Sequence, residues 1–145
     1  MTAPADTPSF AARADLQDTC RDALGAADRL VDALRDRLRA RLAAAGDADA
    51  GNREQARVHG FAWAATYARA LREMLGWSQR LAASGRCGEL EGLMLQAAFG
   101  EYLAQLAGGL PMSQGETFRP ELIDTGGGAL AAFVAVPAVR RLREH

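Results

Sequence analysis

Length, composition and charge limit what this chain can be. Its 145 residues carry 17 basic and 18 acidic side chains, a formal net charge of −1, so overall charge gives no reason to expect nucleic acid or an anionic membrane surface as a partner. Every basic residue is arginine, which excludes a Schiff-base lysine and the lysine of a Walker phosphate loop.

The sequence also lacks the signals of export, membrane insertion and metal binding. The N-terminal residues have no basic start followed by an apolar core, so we expect a cytoplasmic protein. The longest uncharged run, Thr125 to Val139, is interrupted by Gly and Pro and is shorter than the roughly 20 apolar residues that span a bilayer. Cys20 and Cys87 have no ligand spacing with each other or with the two histidines, which predicts inert thiols and no metal site.

The first predicted element is a long amphipathic helix. Residues 1–14 contain two prolines and no apolar period, so we predict a flexible arm there and a single helical domain over residues 15–145. From Asp15 to about Ala45, apolar residues recur at steps of three and four, which indicates one buried helical stripe. These residues are Leu16, Cys20, Leu24, Ala27, Val31, Leu34, Leu38 and Leu42.

A second long helix is predicted after a turn over residues 46–51. Asn52 resembles an N-cap with Gln55 as its capping-box partner, and Gly85 is placed to end the helix after Ser84. One broad face is apolar, which favours a central helix with more than one neighbour. That face contains Trp63, Tyr67, Ala70, Leu71, Met74, Leu75 and Leu81.

The third predicted helix, from about Gly88 to Ala107, is apolar on two opposed faces. One face carries Leu95, Phe99, Tyr102, Leu103 and Leu106, and the other carries Leu90, Leu93, Met94, Ala97 and Ala104. A helix that is apolar nearly all round is normally buried all round. Either the C-terminal segment or another protein should therefore cover the second face.

The remaining residues, 121–145, supply a shorter helical segment. Pro137 either breaks this segment or begins a last helix, and the glycines at 126–128 form a hinge rather than a phosphate loop, because no strand precedes them. The predicted fold is all-α: an antiparallel bundle of three long helices plus a shorter C-terminal helical segment broken by proline.

The loop GGLPMSQGETFRP, residues 108–120, is the least generic run in the chain. Gly108, Gly109 and Pro111 are explained as the end of the third helix. An apolar side chain beside a carboxamide and a guanidinium suits a contact surface, although packing back onto the bundle is the alternative. The residues that remain unexplained are Met112, Gln114, Phe118 and Arg119, and Ser113 begins a weak capping-box pattern with Glu116.

Two further groups could carry chemistry. Glu101 shares a helix face with Leu90 and Met94, and we expect an ionised carboxylate paired with Arg119 or Arg72, since no second acid, nucleophile or histidine is spaced to make it a general base. The arginines at 35, 37, 39 and 41 could meet phosphates, but Asp36 interrupts them and no aromatic residue accompanies them. A solvated helix end is the favoured interpretation.

Two runs carry a resemblance to a known family. HGFAWAATYARALREMLGWSQRL and GELEGLMLQAAFGEYLAQLAGGLPMSQGETFRP, within residues 59–120, resemble the N-terminal helical extension of the methylsuccinyl-CoA dehydrogenase branch of the acyl-CoA dehydrogenases. In that family the following body holds the FAD, the acyl-CoA pocket and the carboxylate base, and none of that body is present here. The resemblance assigns a catalytic role to no residue of this chain.

The resemblance implies a non-catalytic helical domain or small subunit that packs on, or assembles with, a flavin-dependent acyl-CoA dehydrogenase, with self-association as a further possibility. The expected partner-binding residues are Met112, Ser113, Gln114, Phe118, Arg119 and Glu101. No catalytic, cofactor-binding or metal-binding residue is expected on this chain. The alternative is a free-standing bundle that binds an acyl or acyl-CoA ligand, or a protein partner, between its helices.

Overall fold

A computed structural model describes residues 10–46, 49–113 and 115–144, and it confirms the predicted all-α bundle. The long helices are α1 (Phe10–Ala45), α3 (Gln55–Ala83) and α4 (Glu89–Gly108), with the short α2 (Ala50–Arg53) between the first two. After α4 come β1 (Leu110–Pro111), β2 (Thr117–Phe118) and a 3-10 turn (Pro120–Leu122). The chain continues with α5 (Gly128–Ala135) and α6 (Pro137–Arg143).

The helix starts differ from the predicted ones. Helix α1 begins at Phe10 rather than Asp15, and residues 1–9 of the predicted arm lie outside the described residues. The prediction of Asn52 as an N-cap is wrong, because Asn52 lies within α2, where its Nδ2 donates a hydrogen bond to Asp49 Oδ1 at 2.7 Å. No side chain caps the start of α3. The chain enters α3 through a short separate turn of helix rather than through a capping box.

The core lies where α1, α3 and α4 meet. The predicted stripe of α1 is buried at Cys20, Leu24, Ala27, Leu34 and Leu38. It packs against α3 residues Ala64, Ala68, Leu71 and Leu75 and against α4 residues Leu95, Phe99, Leu103 and Leu106. Burial of this apolar surface is the main stabilising contribution to the fold.

The turn between α3 and α4 makes these two helices antiparallel. Gly85 has a φ of 69°, the left-handed conformation that its position predicted, and the N–H of Arg86 donates to the carbonyl of Leu81 at 2.9 Å. Tyr67 of α3 and Tyr102 of α4 stack with ring centroids 4.5 Å apart. This stack fixes which residues of the two helices lie at the same level.

A buried carboxylate is one of the groups that hold the C-terminal helices to α1, beside the exposed ion pair between Arg141 and Asp15. Asp124 is 1% exposed, its Oδ2 accepts a hydrogen bond from the N–H of Leu130 at 2.8 Å, and its Oδ1 is ion-paired with Arg37 of α1. Sequence patterns did not single out Asp124. A buried carboxylate is costly unless it is paired; Arg37 provides that pairing, and the bond from Leu130 satisfies an N–H in the first turn of α5. Pro137 is the first residue of α6, one of the two roles predicted for it.

Candidate docking surface

The loop of residues 108–120 forms a small β-hairpin. Leu110 pairs with Phe118 and Pro111 with Thr117 in antiparallel register. Beyond these pairs the N–H of Met112 donates to the carbonyl of Glu116 at 2.9 Å, and Gly115 has a φ of 84°. The sequence predicts a loop here, because strands of two residues are too short to show alternation of apolar and polar residues.

The predicted contact residues of the hairpin have different environments. Phe118 lies inside the bundle instead of facing a partner: it is 1% exposed, and a β-carbon on Gly60 would lie 2.0 Å from its ring. Arg119 is exposed and donates to the carbonyl of Gly108 at 2.7 Å, at the end of α4. Met112 is half-buried against the core, Ser113 is exposed, and Gln114 lies outside the described residues. Phe118 therefore packs back onto the bundle, which was the alternative to a partner contact.

Glu101 is exposed on α4, and its predicted pairing with an arginine is not present among the described residues. Its Oε1 accepts a hydrogen bond from Gln105 Nε2, one turn further along the helix. Arg72 instead donates to both carboxylate oxygens of Asp28, each at 2.6 Å. Arg119 is bound to the Gly108 carbonyl. The Glu101 carboxylate is left facing outward, where a cation from another chain can reach it.

The outer face of α4 is only partly covered. Helix α6 approaches it at Gly100, where a β-carbon would lie 2.8 Å from the carbonyl oxygen of Leu142. Toward the start of α4, Leu90, Leu93 and Met94 remain 65%, 57% and 46% exposed. The C-terminal segment, one of the two predicted covers for this face, therefore lies over the second half of α4. The first half is left open.

Two grooves border this open face of α4. The α3–α4 groove, with a volume of about 820 Å³, is lined by Ala70, Glu73, Met74, Trp77, Arg80, Ala97, Ala98, Glu101 and Tyr102. The α4–α6 groove, of about 450 Å³, is lined by Leu93, Gln96, Ala97, Gly100, Glu101, Ala104, Leu142 and Arg143. Ala97 and Glu101 lie on the ridge between the two grooves. A ridge of one small and one charged residue between two grooves suits helix packing from another chain.

Three ring side chains, His59, Trp63 and Tyr67, follow one another along α3 toward the α3–α4 groove. Trp63 Nε1 donates to Nε2 of His59 at 3.0 Å, and the Trp63 ring meets the edge of Tyr67 at 6.3 Å. Burial raises the pKa of the Tyr67 hydroxyl, with smaller contributions from Tyr102 and Glu101. His59 is thus occupied by a structural hydrogen bond, which favours packing over catalysis.

The arginines of the α1 C-terminal half are mostly used within the protein. Ion pairs join Arg35 to Asp32 and Asp36, Arg37 to Asp124, and Arg41 to Glu54. The hydrogen bond from Arg41 is the main cause that lowers the pKa of Glu54, which also binds Arg57 at 2.9 Å. The favoured interpretation was a solvated helix end, and the structure adds that two of these arginines pair with Asp124 and Glu54 of other segments.

The described ranges show neither a metal-binding cluster nor a membrane-spanning helix. Within residues 10–46, 49–113 and 115–144, no group of three or more His, Cys, Asp or Glu side chains is arranged to hold a metal ion. None of the helices in this part of the chain has the length and apolar character needed to cross a membrane.

Comparison with known proteins relates the chain to a dehydrogenase. The chain is 46% identical over 107 residues to a (2S)-methylsuccinyl-CoA dehydrogenase from Cereibacter sphaeroides. The match covers 72% of this chain but 20% of the relative, so the chain spans about a fifth of the length of the curated protein it matches. No protein-family model matches the chain. The match confirms the resemblance seen in residues 59–120 and relates this chain to part of a dehydrogenase.

Proposed function

We propose that this chain is a non-catalytic helical domain or small subunit that packs on, or assembles with, a flavin-dependent acyl-CoA dehydrogenase of the methylsuccinyl-CoA type. The observation that carries the proposal is the 46% identity over 107 residues, which make up only 20% of the relative. FAD and the acyl-CoA substrate then bind to the associated dehydrogenase body. This chain contributes assembly or positioning.

The chemistry of the described residues supports a non-catalytic role. Acyl-CoA dehydrogenation needs a carboxylate placed at the substrate α-carbon and a flavin beside it. Glu101 is the inward carboxylate that the sequence suggested, yet it is exposed and bound to Gln105. Asp124, which is buried, is committed to Arg37 and to the backbone of Leu130. Neither carboxylate is placed as a general base.

The docking surface in this proposal is the α4–α6 groove together with the exposed tip of the hairpin. Leu93 is 57% exposed at the groove, and its burial against a partner would be favourable by about 25 cal/mol per Å² of apolar surface. In the proposal Ser113, Gln114 and Arg119 supply the polar contacts typical of an interface rim, and the half-buried Met112 supplies an adaptable apolar one. Glu101, on the ridge of α4, contributes a charge at the edge.

The proposal is tested in a full-length enzyme. The corresponding residues of this chain replace the matched region of the Cereibacter sphaeroides dehydrogenase, and flavin content and turnover of methylsuccinyl-CoA are measured. We expect a flavin-loaded, active enzyme. A chimera that folds but has lost flavin or turnover would count against the proposal.

The surface is tested in the same chimera with Leu93→Gln combined with Met112→Ala and Arg119→Ala. We expect a lower thermal midpoint of the assembled enzyme, because the contact between module and body is weakened. Val58→Gln is the matched control, since Val58 is an exposed apolar residue, 39% exposed, that lines neither groove. If the two sets of changes lower the thermal midpoint equally, this surface is not the docking site.

The alternative function, binding of an acyl or acyl-CoA ligand, has one observation in its favour. The α3–α4 groove has the size of a small-molecule site. The arginines that would meet the CoA phosphates are, however, largely committed to ion pairs on α1 and its neighbours. Calorimetric titration of the purified chain with acyl-CoA would detect such a ligand, and we expect no binding.

A further inference from the structure

The hydrogen bond between His59 and Trp63 requires one particular state of the imidazole. The two residues lie one turn apart on α3, and Trp63 Nε1 donates to His59 Nε2 at 3.0 Å. An indole N–H is a donor only, so the nitrogen that accepts its hydrogen bond carries no proton. His59 is therefore neutral in this arrangement, with its ring proton on Nδ1.

The same imidazole lines a groove between α3 and the hairpin. This hairpin groove, of about 580 Å³, is lined by Gln55, Ala56, His59, Met112, Glu116, Thr117, Phe118 and Leu122. Among these lining residues only His59 and Glu116 can carry a charge. Glu116 is exposed, and its carboxylate makes no ion pair within the described ranges. The groove thus has an imidazole on its α3 side and an uncommitted carboxylate on its hairpin side.

A cluster of charges at the border of the hairpin groove is already paired. Arg57 donates to the carbonyl of Leu122 at 2.8 Å and binds Glu54, which Arg41 also binds. This cluster keeps one positive charge, which opposes the protonation of His59. Glu121, on the 3-10 turn, is exposed and does not line the groove. Glu116 is therefore the lining group that favours a positive charge on the imidazole.

We propose that His59 is a pH-sensitive switch between α3 and the hairpin. When the imidazole is neutral, its Nε2 holds the indole of Trp63. Protonation of Nε2 turns this acceptor into a donor, so the bond from Trp63 is lost. The imidazolium then binds the Glu116 carboxylate across the hairpin groove, and the hairpin gains an ion pair to α3. The switch does not depend on the proposed function.

The first measurement is nitrogen-15 NMR of the histidine rings in the complete 145-residue chain. We expect His59 to carry its proton on Nδ1 at pH 8 and to carry protons on both nitrogens at pH 5. The spectrum of His59→Gln identifies the His59 signals, because His145 is the other histidine of the chain. A neutral His59 with its proton on Nε2 would overturn the proposal, since that nitrogen could not accept a hydrogen bond from Trp63.

The second measurement follows Trp63 by its fluorescence. Trp77→Phe leaves Trp63 as the one tryptophan of the chain. From pH 8 to pH 5 the emission should change in step with the protonation of His59, because the indole N–H loses its acceptor and a charge appears one turn away. Circular dichroism at both pH values shows that the fold is retained. An emission that does not depend on pH, or one that changes equally in His59→Gln, would contradict the switch.

The role of Glu116 is tested by removing its charge. Glu116→Gln should move the midpoint of the fluorescence change to lower pH by about 0.2–0.7, the effect of one exposed ion pair. Glu89→Gln is the matched control, since Glu89 is also exposed but lies in the first turn of α4, at the end away from the hairpin. It should leave the midpoint unchanged. If both variants move the midpoint equally, the protonated imidazole does not bind Glu116 and the proposed switch is wrong.

Discussion

At the scale of single residues, Gly60 allows the Phe118 ring of the hairpin to approach α3 closely. A β-carbon there would lie within 2.5 Å of three ring atoms of Phe118, whose side chain is fully buried. We expect Gly60→Ala to lower the free energy of unfolding by about 1–3 kcal/mol, because the ring must move out of a packed site. Urea denaturation measures the change.

Gly92 is the matched control for this substitution. It also lies within a helix, but no atom outside its own helical turn lies within 4 Å of the place that a β-carbon would occupy. Gly92→Ala should therefore stabilise the protein by about 0.5–1 kcal/mol through the higher helix propensity of alanine. If both variants behave alike, packing against Phe118 is not what requires a glycine at position 60.

Asp124 makes the buried ion pair that connects the C-terminal segment to α1. Asp124→Asn removes the charge that pairs with Arg37 while keeping the size of the side chain, and we expect a loss of about 1–3 kcal/mol of stability. Asp18→Asn, which breaks the exposed pair with Arg21, should change stability by no more than about 0.5 kcal/mol. The two urea denaturation curves are compared directly, and a similar small shift for both would show that burial adds nothing to the Asp124 pair.

Cys20 gives the stability a defined pH dependence. Burial raises the pKa of its thiol from 9.0 to about 12, so between these values the unfolded chain loses a proton that the folded chain keeps. The contribution is fully present below the unfolded pKa and is lost as the pH rises toward the folded one. As the pH rises from about 9 toward 12, the unmodified chain should lose more stability than Cys20→Ala, as measured by urea denaturation. Parallel pH profiles for the two proteins would contradict this assignment.

At the scale of elements, α4 has two apolar faces with different roles. Leu95 and Leu103 are fully buried, whereas Leu90, Leu93 and Met94 are exposed. Changing all three exposed residues to Gln should leave the free energy of unfolding within about 1 kcal/mol, although Leu95→Ala alone should cost about 2–5 kcal/mol. Urea denaturation compares the two variants. A large decrease in the free energy of unfolding from the triple change would show that these three residues belong to the monomer core.

The hairpin shows where element prediction from this sequence stops. Glycines and a proline marked the end of α4, and that end is at Gly108. The strands that follow have two residues each, so no periodicity can reveal them. Their register depends on Phe118 entering the space beside Gly60, a contact between residues far apart in the chain.

At the scale of the whole molecule, the proposed function predicts that the purified chain is colourless and inactive. A visible absorption spectrum after addition of FAD should show no bound flavin, and a dye-reduction assay with methylsuccinyl-CoA should show no turnover. The reason is that the described helices are joined by short turns and offer no paired sites for the isoalloxazine ring and the pyrophosphate. A bound-flavin band or any turnover would make Glu101 the first residue to test as a base.

The sequence by itself determined the three long helices and the buried stripes of α1 and α4, because apolar periodicity is a local property that a helix converts directly into one face. It also showed that α4 had more apolar surface than a small bundle could bury. Only the tertiary structure decided which part of that surface α6 covers, that Phe118 is buried, and that Asp124 pairs with Arg37. These contacts join residues distant in the chain, and their geometry depends on how the helices pack, which no local pattern encodes.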